Sequence, residues 1–465
     1  MASLKDTDEE RAHAVQLLGK NLVLWRDGQG KWACFDDRCP HRAAPLSEGR
    51  VEKDGSLLCA YHAWRFDADG KCLKIPQSNR NGRDEAQPAA CAVSYPTKVA
   101  QEMIWVWGEA GPDAVLESAL APLPLDVPEL DDTEARKDGR VFAFPPSQID
   151  MPYGWDTVME NHMDPSHVPV SHHGEMLLPA WMFFSAVGVM TRNGFALDIG
   201  SGGNEGDTAL FKPPALVTIW GETPDGAKTQ LILYATPTRP GWTRLIARQV
   251  SFSPSVLAPN PAFLRSVVSP PFKLLRVFPP PAWLVHLLTV AFTDQDMVFL
   301  HDQGNTLASA GVDSSNYGKL TFTPCGADRG VLALRRWITT FGSGGPAWDA
   351  SCDKTLPPRV TNRNELFNVY ERHTKNCKSC QGALKNVNKS LTTARVASIA
   401  SIAWAVLRGA RSAGSSASPS VLNFATTRAM LPGLAVAAVS LGVVKALEKL
   451  RGMFYTHSFS HQDNP

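Results

Sequence analysis

The chain has 465 residues, and 46 Lys plus Arg stand against 45 Asp plus Glu, which leaves a formal net charge of +1. This length allows about three domains of roughly 150 residues each. The balanced charge provides no field to attract nucleic acid. The composition, with 44% hydrophobic and 20% charged residues, is typical of a globular protein. Nine cysteines in a chain of this length are too sparse for a secreted disulfide scaffold.

The N-terminal segment MASLKDTDEERAH is polar and acidic. It lacks the apolar core of a signal peptide, and its acidic residues argue against an organelle transit peptide. We therefore expect that any targeting segment has been removed or is missing from this sequence.

Residues 21 to about 96 alternate short strand-like runs with turns. NLVLW and KWACF flank the turn DGQG at 27–30, which is a hairpin signature. The turn DADG at 67–70 separates AWRF from KCLKI, and QEMIWVW at 101–107 is a further candidate strand. These signals predict a small all-β module at the start of the chain.

Strands and helices mix in the middle of the chain, after a Pro-rich linker at about 122–146. Strands are predicted for ALVTIWG and TQLILYAT, and helices for GWDTVMENHMD and DQDMVFLHDQ. WITTF and FNVYERHTK, within residues 330–376, suggest a late amphipathic helix. The apolar, Pro-rich stretch 267–292 is either a membrane-facing entrance or a set of ordinary core helices.

Two apolar runs, at 396–407 and 429–444, end the chain and are joined by the polar loop RGARSAGSSASPS. The second holds about sixteen residues before Lys445, fewer than the roughly 20 that a bilayer requires. The two runs are either one membrane hairpin or a helical pair packed on protein, and hydropathy alone does not choose between them.

The most informative motif combines two Cys/His pairs. One residue separates Cys39 from His41. A further 17 residues lead to Cys59, and two residues separate Cys59 from His62. Four such ligands can bind one zinc ion or a Rieske [2Fe-2S] cluster. Zinc knuckles usually cluster one ligand type, whereas here each loop contributes one Cys and one His beside predicted strands. The pattern therefore favours the Rieske cluster.

A second group of histidines follows about 100 residues later, in ENHMDPSHVPVSHH. His167 and His172, five residues apart, can supply two adjacent ligands to a metal, although such histidines can equally be surface or core residues. Asn161, Asp164 and His167 are spaced i, i+3, i+6, so a helix would place them on nearly one face.

A mononuclear Fe(II) oxygenase needs two His and one carboxylate on one side of the iron, with the other side open for O2 and substrate. The segment FTDQDMVF contains the candidate carboxylates. We expect Asp296 to be the ligand, and Asp294 is its competitor.

The two motifs in this order resemble the Rieske non-heme iron oxygenases. DDRCPHRAAPLSEGRVE, CLKIPQ, ENHMDPSHVPVSHHG and DQDMVFL closely resemble the chloroplast branch typified by pheophorbide a oxygenase, as does CKSC followed by a hydrophobic tail. The resemblance runs from about residue 21 to the end and is thin at 110–145 and 305–360.

The resemblance implies an α+β protein in four parts. We expect an all-β Rieske [2Fe-2S] domain at 1–120 and a helix-grip (START-like) antiparallel-sheet catalytic domain with mononuclear iron at 121–376. A CxxC segment would follow at 377–390, and hydrophobic helices that form a possible membrane anchor at 391–465.

The resemblance also implies roles for individual residues. The [2Fe-2S] cluster would be bound by Cys39, His41, Cys59 and His62, and the mononuclear Fe(II) by His167, His172 and Asp296. Asp164 matches the aspartate that links a cluster histidine of one subunit to an iron histidine of its neighbour, which implies a homotrimer. Asn161 would shape the iron site without being an obligatory ligand.

Two features depart from the family pattern. Ala63 follows the second cluster histidine, where the family usually has Gly, and a positive φ there would cost stability. The strand that usually opens a Rieske domain is expected to be missing or very short because NLVLW begins at residue 21, as it would in a truncated sequence.

Cys377 and Cys380 form a C-x-x-C pair outside any recognisable redox fold. They could be a redox pair read by thioredoxin, or a structural or incidental spacing. The nearby His373 does not decide whether a metal binds.

By resemblance, the protein is a monooxygenase that takes electrons from reduced ferredoxin and uses O2. The expected reaction is oxygenolytic opening of a chlorin, pheophorbide a, in chlorophyll breakdown at the chloroplast inner envelope or thylakoid membrane. One alternative is a sister oxygenase acting on protochlorophyllide or chlorophyllide. Another is a redox-sensing Rieske subunit of the inner-envelope import translocon.

Overall fold

A computed structural model describes residues 2–4, 6–80, 82–125, 127–138, 140–172, 183–201, 208–222, 228–252, 280–414, 419–457, 459 and 461. The chain divides into two compact units, one of Met1–Leu366 with Phe459–Pro465 and one of Phe367–Ser458. Part of the predicted entrance stretch, 267–279, lies outside the described residues.

Short strands dominate the N-terminal half, and helices the C-terminal half. The strands are β1 (Ala2–Ser3), β2 (His13–Leu17), β3 (Lys20–Arg26), β4 (Trp32–Asp36), β5 (Arg50–Val51), β6 (Leu57–Leu58), β7 (Arg65–Phe66), β8 (Cys72–Lys74), β9 (Ser94–Tyr95), β10 (Thr97–Ala100), β11 (Met103–Val106), β12 (Val141–Ala143), β13 (Ser147–Met151), β14 (Phe183–Val187), β15 (Phe195–Ser201), β16 (Thr208–Lys212), β17 (Leu216–Glu222), β18 (Lys228–Arg239) and β19 (Trp242–Phe252). The α-helices are α1 (Pro112–Leu120), α2 (Thr133–Lys137), α3 (Trp155–Met163), α4 (Val168–Ser171), α5 (Ala282–Asp294), α6 (Met297–Ser309), α7 (Arg329–Thr340), α8 (Arg363–Leu366), α9 (Val369–Arg372), α10 (Lys378–Gly414) and α11 (Pro419–Met453).

Two four-stranded antiparallel sheets, β2-β3-β4-β9 and β5-β6-β7-β8, form the N-terminal all-β module. The predicted hairpin at 27–30 is confirmed, because Oδ1 of Asp27 accepts hydrogen bonds from the amides of Gln29 and Lys31 and closes the turn between β3 and β4. The apolar core of the module includes the buried residues Cys39 and Cys59.

The expectation of a missing opening strand is wrong. β2 pairs along its whole length with β3, in a register that runs from His13 opposite Leu24 to Leu17 opposite Lys20. The mixed polar and apolar sequence HAVQL gave a weak strand signal because this strand is only half-buried at the edge of its sheet.

The second architectural element is a large antiparallel sheet in the order β12-β19-β18-β17-β16-β15-β14, with β13 also paired to β19. The predicted strands ALVTIWG and TQLILYAT are β17 and β18 of this sheet. The predicted helix GWDTVMENHMD is α3, and its buried face includes Val158, Met159 and Met163. The predicted α+β class, with an N-terminal all-β domain and an antiparallel sheet, is confirmed.

The unit Phe367–Ser458 contains two long antiparallel-packed apolar helices, α10 and α11. Two segments, Lys378–Ala413 and Thr426–Met453, are long and apolar enough to cross a membrane. The late amphipathic helix suggested by WITTF and FNVYERHTK is confirmed over WITT, which ends α7, but no long helix forms over FNVYERHTK. There the α-helix is confined to α9, because Asn368 caps its start and the irregular backbone of His373 (φ −143°, ψ −61°) ends it before a 3-10 turn at Thr374–Asn376.

Candidate metal centres

The two Cys/His loops of the all-β module fold in the same way. In each loop the amide four residues after the Cys donates to the Cys carbonyl, and the Cys amide donates to the carbonyl five residues on. The bonds are Ala43 N to Cys39 O (2.9 Å), Ala63 N to Cys59 O (2.9 Å), Cys39 N to Ala44 O (2.8 Å) and Cys59 N to Trp64 O (2.9 Å). Both turns need a positive φ, and Ala43 (+56°) and Ala63 (+59°) adopt it.

These loops bring the four predicted cluster ligands to one end of the module. Cys39 and Cys59 are buried neighbours, and the rings of His41 and His62 lie with their centroids 4.5 Å apart. Burial raises the pKa of the Cys39 thiol to about 12, so a bound cation is needed to hold it as a thiolate. Nδ1 of His41 is buried and has no hydrogen-bond partner among the described residues, as expected of a metal-ligating nitrogen.

The spacing of these four side chains distinguishes a zinc site from a Rieske [2Fe-2S] cluster, the two sites that the Cys/His pattern allows. Four ligands of a single zinc ion would have their donor atoms about 3.5–3.8 Å apart. No three of these four residues bring their donor atoms within 4.8 Å of one another, although all four are described. The arrangement therefore fits a two-iron cluster, with one iron between the thiolates and the other between the imidazoles, better than it fits one zinc ion.

A second centre lies where α4 ends and α6 begins. His167, His172 and Asp296 place one ligand atom each within 4.8 Å of one another. Oδ2 of Asp296 is 3.2 Å from Nε2 of His172 and 3.5 Å from Nε2 of His167. The structure thus brings together the two histidines and the carboxylate that a mononuclear iron site requires.

Hydrogen bonds behind the rings determine which nitrogen of each imidazole faces this centre. Nδ1 of His172 is 2.9 Å from Oε1 of Gln295, and Nδ1 of His167 contacts the backbone carbonyl of Asp164. Amide and carbonyl oxygens can only accept, so each Nδ1 must carry the proton. Each Nε2 therefore presents a lone pair toward Asp296.

Three electron-rich atoms consequently converge on one point. Two imidazole lone pairs and a carboxylate this close together repel one another, and a cation bound between them would remove this repulsion. The donor set fits Fe(II), with two nitrogen ligands and one oxygen ligand on one side.

Asn161 occupies the position beside this centre that the resemblance implied. Its Nδ2 lies 3.1 Å from Nε2 of His167 and 3.2 Å from Oδ2 of Asp296, and it donates to the carboxylate. The shared helical face that the spacing of Asn161, Asp164 and His167 would allow does not form. α3 ends at Met163, Asp164 has extended backbone (φ −114°, ψ 97°), and Pro165 starts a separate turn.

Asp164 takes a different place from the iron ligands. Its Oδ1 accepts hydrogen bonds from the amide (2.9 Å) and the hydroxyl (2.5 Å) of Ser166, and its Oδ2 lies 3.8 Å from Nδ1 of His167. The carboxylate is half-buried, and its backbone carbonyl orients His167. Its predicted role as a bridge between subunits stays a prediction.

Sequence reasoning missed Gln295, and the structure excludes Asp294 from the group around His167 and His172. α5 ends at Asp294, so the break before α6 directs the next two residues toward the histidines. Asp294 is fully buried and is not part of the three-ligand group. The sequence did contain a signal for Gln295: it and Asp296 are two polar residues between two helix-like patterns, and such an interruption marks a junction between helices.

Cys377 and Cys380 stand at the start of α10 and are not joined by a disulfide. Both are buried, and the backbone amide of Cys380 donates to Sγ of Cys377 at 3.4 Å. The predicted redox function of this pair stays a prediction.

Comparison with known families matches residues 1–96 to the Rieske [2Fe-2S] domain and residues 211–313 to pheophorbide a oxygenase. Chloroplastic pheophorbide a oxygenase from Oryza sativa subsp. japonica is 33% identical over 403 residues, which cover 82% of this chain and 71% of the relative. The fold and the two centres thus define a Rieske oxygenase. The chain belongs to the pheophorbide a oxygenase family.

Two further relatives carry other names. Chloroplastic flavonoid 8-hydroxylase 2 from Ocimum basilicum is 30% identical, over 99% of this chain and 84% of the relative. Protochlorophyllide-dependent translocon component 52 from Arabidopsis thaliana is 29% identical, over 82% of this chain and 72% of the relative. The fold matches that of Pseudomonas putida CBB5 NdmB with a TM-score of 0.51 and 19% identity, over 72% of this chain and 87% of that structure.

Proposed function

We propose that this protein is a Rieske monooxygenase that acts on a chlorophyll-derived macrocycle, with oxygenolytic opening of pheophorbide a as its reaction. The proposal rests on the convergence of His167, His172 and Asp296 on one point. Contacts from Gln295 and from the carbonyl of Asp164 fix the tautomers of the two histidines. A Rieske electron carrier needs no such second centre.

The residues of the chain divide the work between the two centres. Bound iron would supply O2 activation at one centre and electron storage at the other. Asp296 and the two oriented imidazoles would hold the metal on one side. Asn161 would keep the carboxylate in place through its 3.2 Å hydrogen bond. One oxygen atom would enter the substrate while the other leaves as water, which consumes two electrons and two protons.

The electrons would come from reduced ferredoxin. Asp164 would link the cluster of one subunit to the iron of its neighbour in a homotrimer. The position of Asp164 supports this role, because its carbonyl contacts His167 while its carboxylate remains half-buried at the end of α3.

The substrate class follows from the family and from the apolar hairpin of α10 and α11. Large apolar side chains are exposed along both helices, with Ile399 and Val439 each 69% exposed. Such a surface marks a membrane or interaction site. A hairpin in the chloroplast inner envelope or thylakoid membrane would place the enzyme where flat, amphiphilic pigments dissolve.

The decisive test is turnover by the iron-loaded full chain with reduced ferredoxin and ¹⁸O₂, read by mass spectrometry. The panel contains pheophorbide a, chlorophyllide, protochlorophyllide and a flavonoid. We expect a ring-opened pheophorbide product that carries one labelled oxygen. Asp296→Asn should abolish the product while leaving the spectrum of the Rieske cluster unchanged.

Other outcomes would replace the proposal. A product of protochlorophyllide or chlorophyllide that carries labelled oxygen would move the assignment to a sister oxygenase. A flavonoid product that carries labelled oxygen would move it to a phenolic hydroxylase. No product from the whole panel, with both centres loaded, would favour the redox-sensing translocon subunit.

A further inference from the structure

A third cluster of metal-ligand side chains lies in the unit Phe367–Ser458, and the proposed oxygenase reaction does not use it. It consists of His373, Cys377 and Cys380, which are 3%, 2% and 0% exposed. Their donor atoms all lie within 4.8 Å of one another. Nε2 of His373 is 3.2 Å from Sγ of Cys380.

These distances are close to those of a tetrahedral zinc site. Zinc binds thiolate sulfur at about 2.3 Å and imidazole nitrogen at about 2.0–2.1 Å, which places sulfur and nitrogen ligands about 3.5 Å apart. The observed 3.2 Å between His373 and Cys380 requires a shift of only a few tenths of an ångström. Cys-x-x-Cys is also the spacing of structural zinc knuckles.

The start of α10 suits two thiolates. Cys377 directly precedes the helix and Cys380 lies in its first turn, where the helix dipole favours negative charge. The amide of Cys380 already donates to Sγ of Cys377 at 3.4 Å. His373 reaches the same point because its irregular backbone (φ −143°, ψ −61°) ends α9, and a short turn then leads into α10.

Burial and the histidine favour metal binding over thiol exchange. A cysteine that exchanges disulfides with a partner protein must be accessible to the attacking thiolate, whereas both sulfurs here are almost completely buried. A dithiol switch also has no need for an imidazole nitrogen beside Cys380, whereas a Cys2His zinc site does.

The position of the cluster indicates what a metal would do. The segment that carries His373 is tied to the end of α11 by the hydrogen bond from Thr374 Oγ1 to Phe454 O (2.8 Å) and by the stacking of Tyr370 on Tyr455. The two cysteines belong to the start of α10. A shared metal would therefore fasten the N-terminal end of one long helix to the C-terminal end of the other.

We propose that His373, Cys377 and Cys380 bind a zinc-class divalent cation that closes the base of the helical hairpin. Binding releases two thiol protons, and a fourth ligand completes the tetrahedron. This site is independent of the proposed oxygenase activity.

The test uses the full chain with both iron centres loaded, reduced under argon, supplied with one equivalent of zinc chloride and desalted. Zinc content is measured by mass spectrometry, and the zinc ligands by X-ray absorption at the zinc edge. We expect about one zinc per chain with two sulfur ligands at about 2.3 Å. Cys380→Ser and His373→Ala should each lose this zinc, whereas Cys325→Ser, which removes an exposed cysteine, should retain it.

Two results would overturn the proposal. Zinc surrounded only by nitrogen and oxygen would place it at the centre of His167, His172 and Asp296. A Cys377–Cys380 disulfide in the purified protein, together with no zinc uptake after reduction, would assign the pair to redox chemistry. The absorption measurement on the unaltered protein decides the question even if a cysteine variant fails to fold.

Discussion

Oε1 of Gln295 lies 2.9 Å from Nδ1 of His172, on the side of the ring away from Asp296. This contact determines the tautomer of a proposed iron ligand, because an amide oxygen can only accept a hydrogen bond, so Nδ1 carries the proton. Partners of this kind typically change metal affinity about 10–100-fold when they are removed.

We therefore expect Gln295→Leu to weaken Fe(II) binding about 10–100-fold. Gln295→Glu should bind iron almost normally, since a carboxylate can accept the same hydrogen bond. Iron titration of the protein with an intact Rieske cluster measures both. Gln303→Leu, at an exposed position on the following helix α6, is the matched control. Equal affinity in Gln295→Leu and the control would show that the contact does not orient the ligand.

The two aspartates around Gln295 should behave oppositely. Asp296→Asn should eliminate stoichiometric mononuclear iron, because the carboxylate oxygen lies 3.2–3.5 Å from both imidazole nitrogens. Asp294→Asn should retain the iron, since this residue is not part of the ligand group. Iron-to-protein ratios, corrected for the two irons of the cluster, measure the difference. Iron loss in Asp294→Asn but not in Asp296→Asn would reverse the assignment.

Ala63 holds a left-handed conformation (φ +59°) in the second cluster loop. An alanine there costs about 1–2 kcal/mol, and the greater freedom of glycine in the unfolded chain offsets about 0.4–1 kcal/mol. Ala63→Gly should thus stabilise the protein by about 0.5–1 kcal/mol. Thermal unfolding and the rate of cluster bleaching measure the effect. Ala60→Gly, in the same loop without a positive φ, should be neutral or destabilising.

Arg335 of α7 neutralises a buried carboxylate on α3, the helix that carries Asn161. It pairs with Glu160 and lies 2.8 Å from Asp156, and Glu160 is only 4% exposed. Removing one partner of a buried ion pair typically costs about 3–5 kcal/mol. We expect Arg335→Met to lose this amount in denaturant unfolding. Glu160→Gln with Arg335→Met should recover a large part of it.

The stability of Arg335→Met should also depend on pH. Burial raises the pKa of Glu160 even though Arg335 lowers it, so removing the guanidinium raises the pKa further. A folded carboxyl with a raised pKa binds more protons than the unfolded chain, so stability rises as pH falls from the raised value toward about 4.5. The defect should therefore be smaller at pH 5 than at pH 8. An unchanged defect would mean that packing, and not charge, accounts for the loss.

Much of the local structure could be read directly from the sequence. The turn at 27–30, α3 and the two Cys/His loops depend on contacts between residues a few positions apart, such as the bonds from the amides of Ala43 and Ala63 to the preceding cysteines. The half-buried strand β2 and the short helix α9 were misjudged because their patterns are weak and their neighbours decide them.

The sequence by itself determined which residues are available as ligands for the two proposed iron centres. For the cluster it also determined their spacing, because Cys39 and His41 lie in one loop and Cys59 and His62 in another. Only the tertiary structure decided between Asp294 and Asp296 and revealed Gln295. His172 and Gln295 are 123 residues apart, and they meet only because α4 and the α5–α6 junction fold onto the same place. No local periodicity encodes that meeting, since it results from the packing of the whole catalytic sheet and its helices.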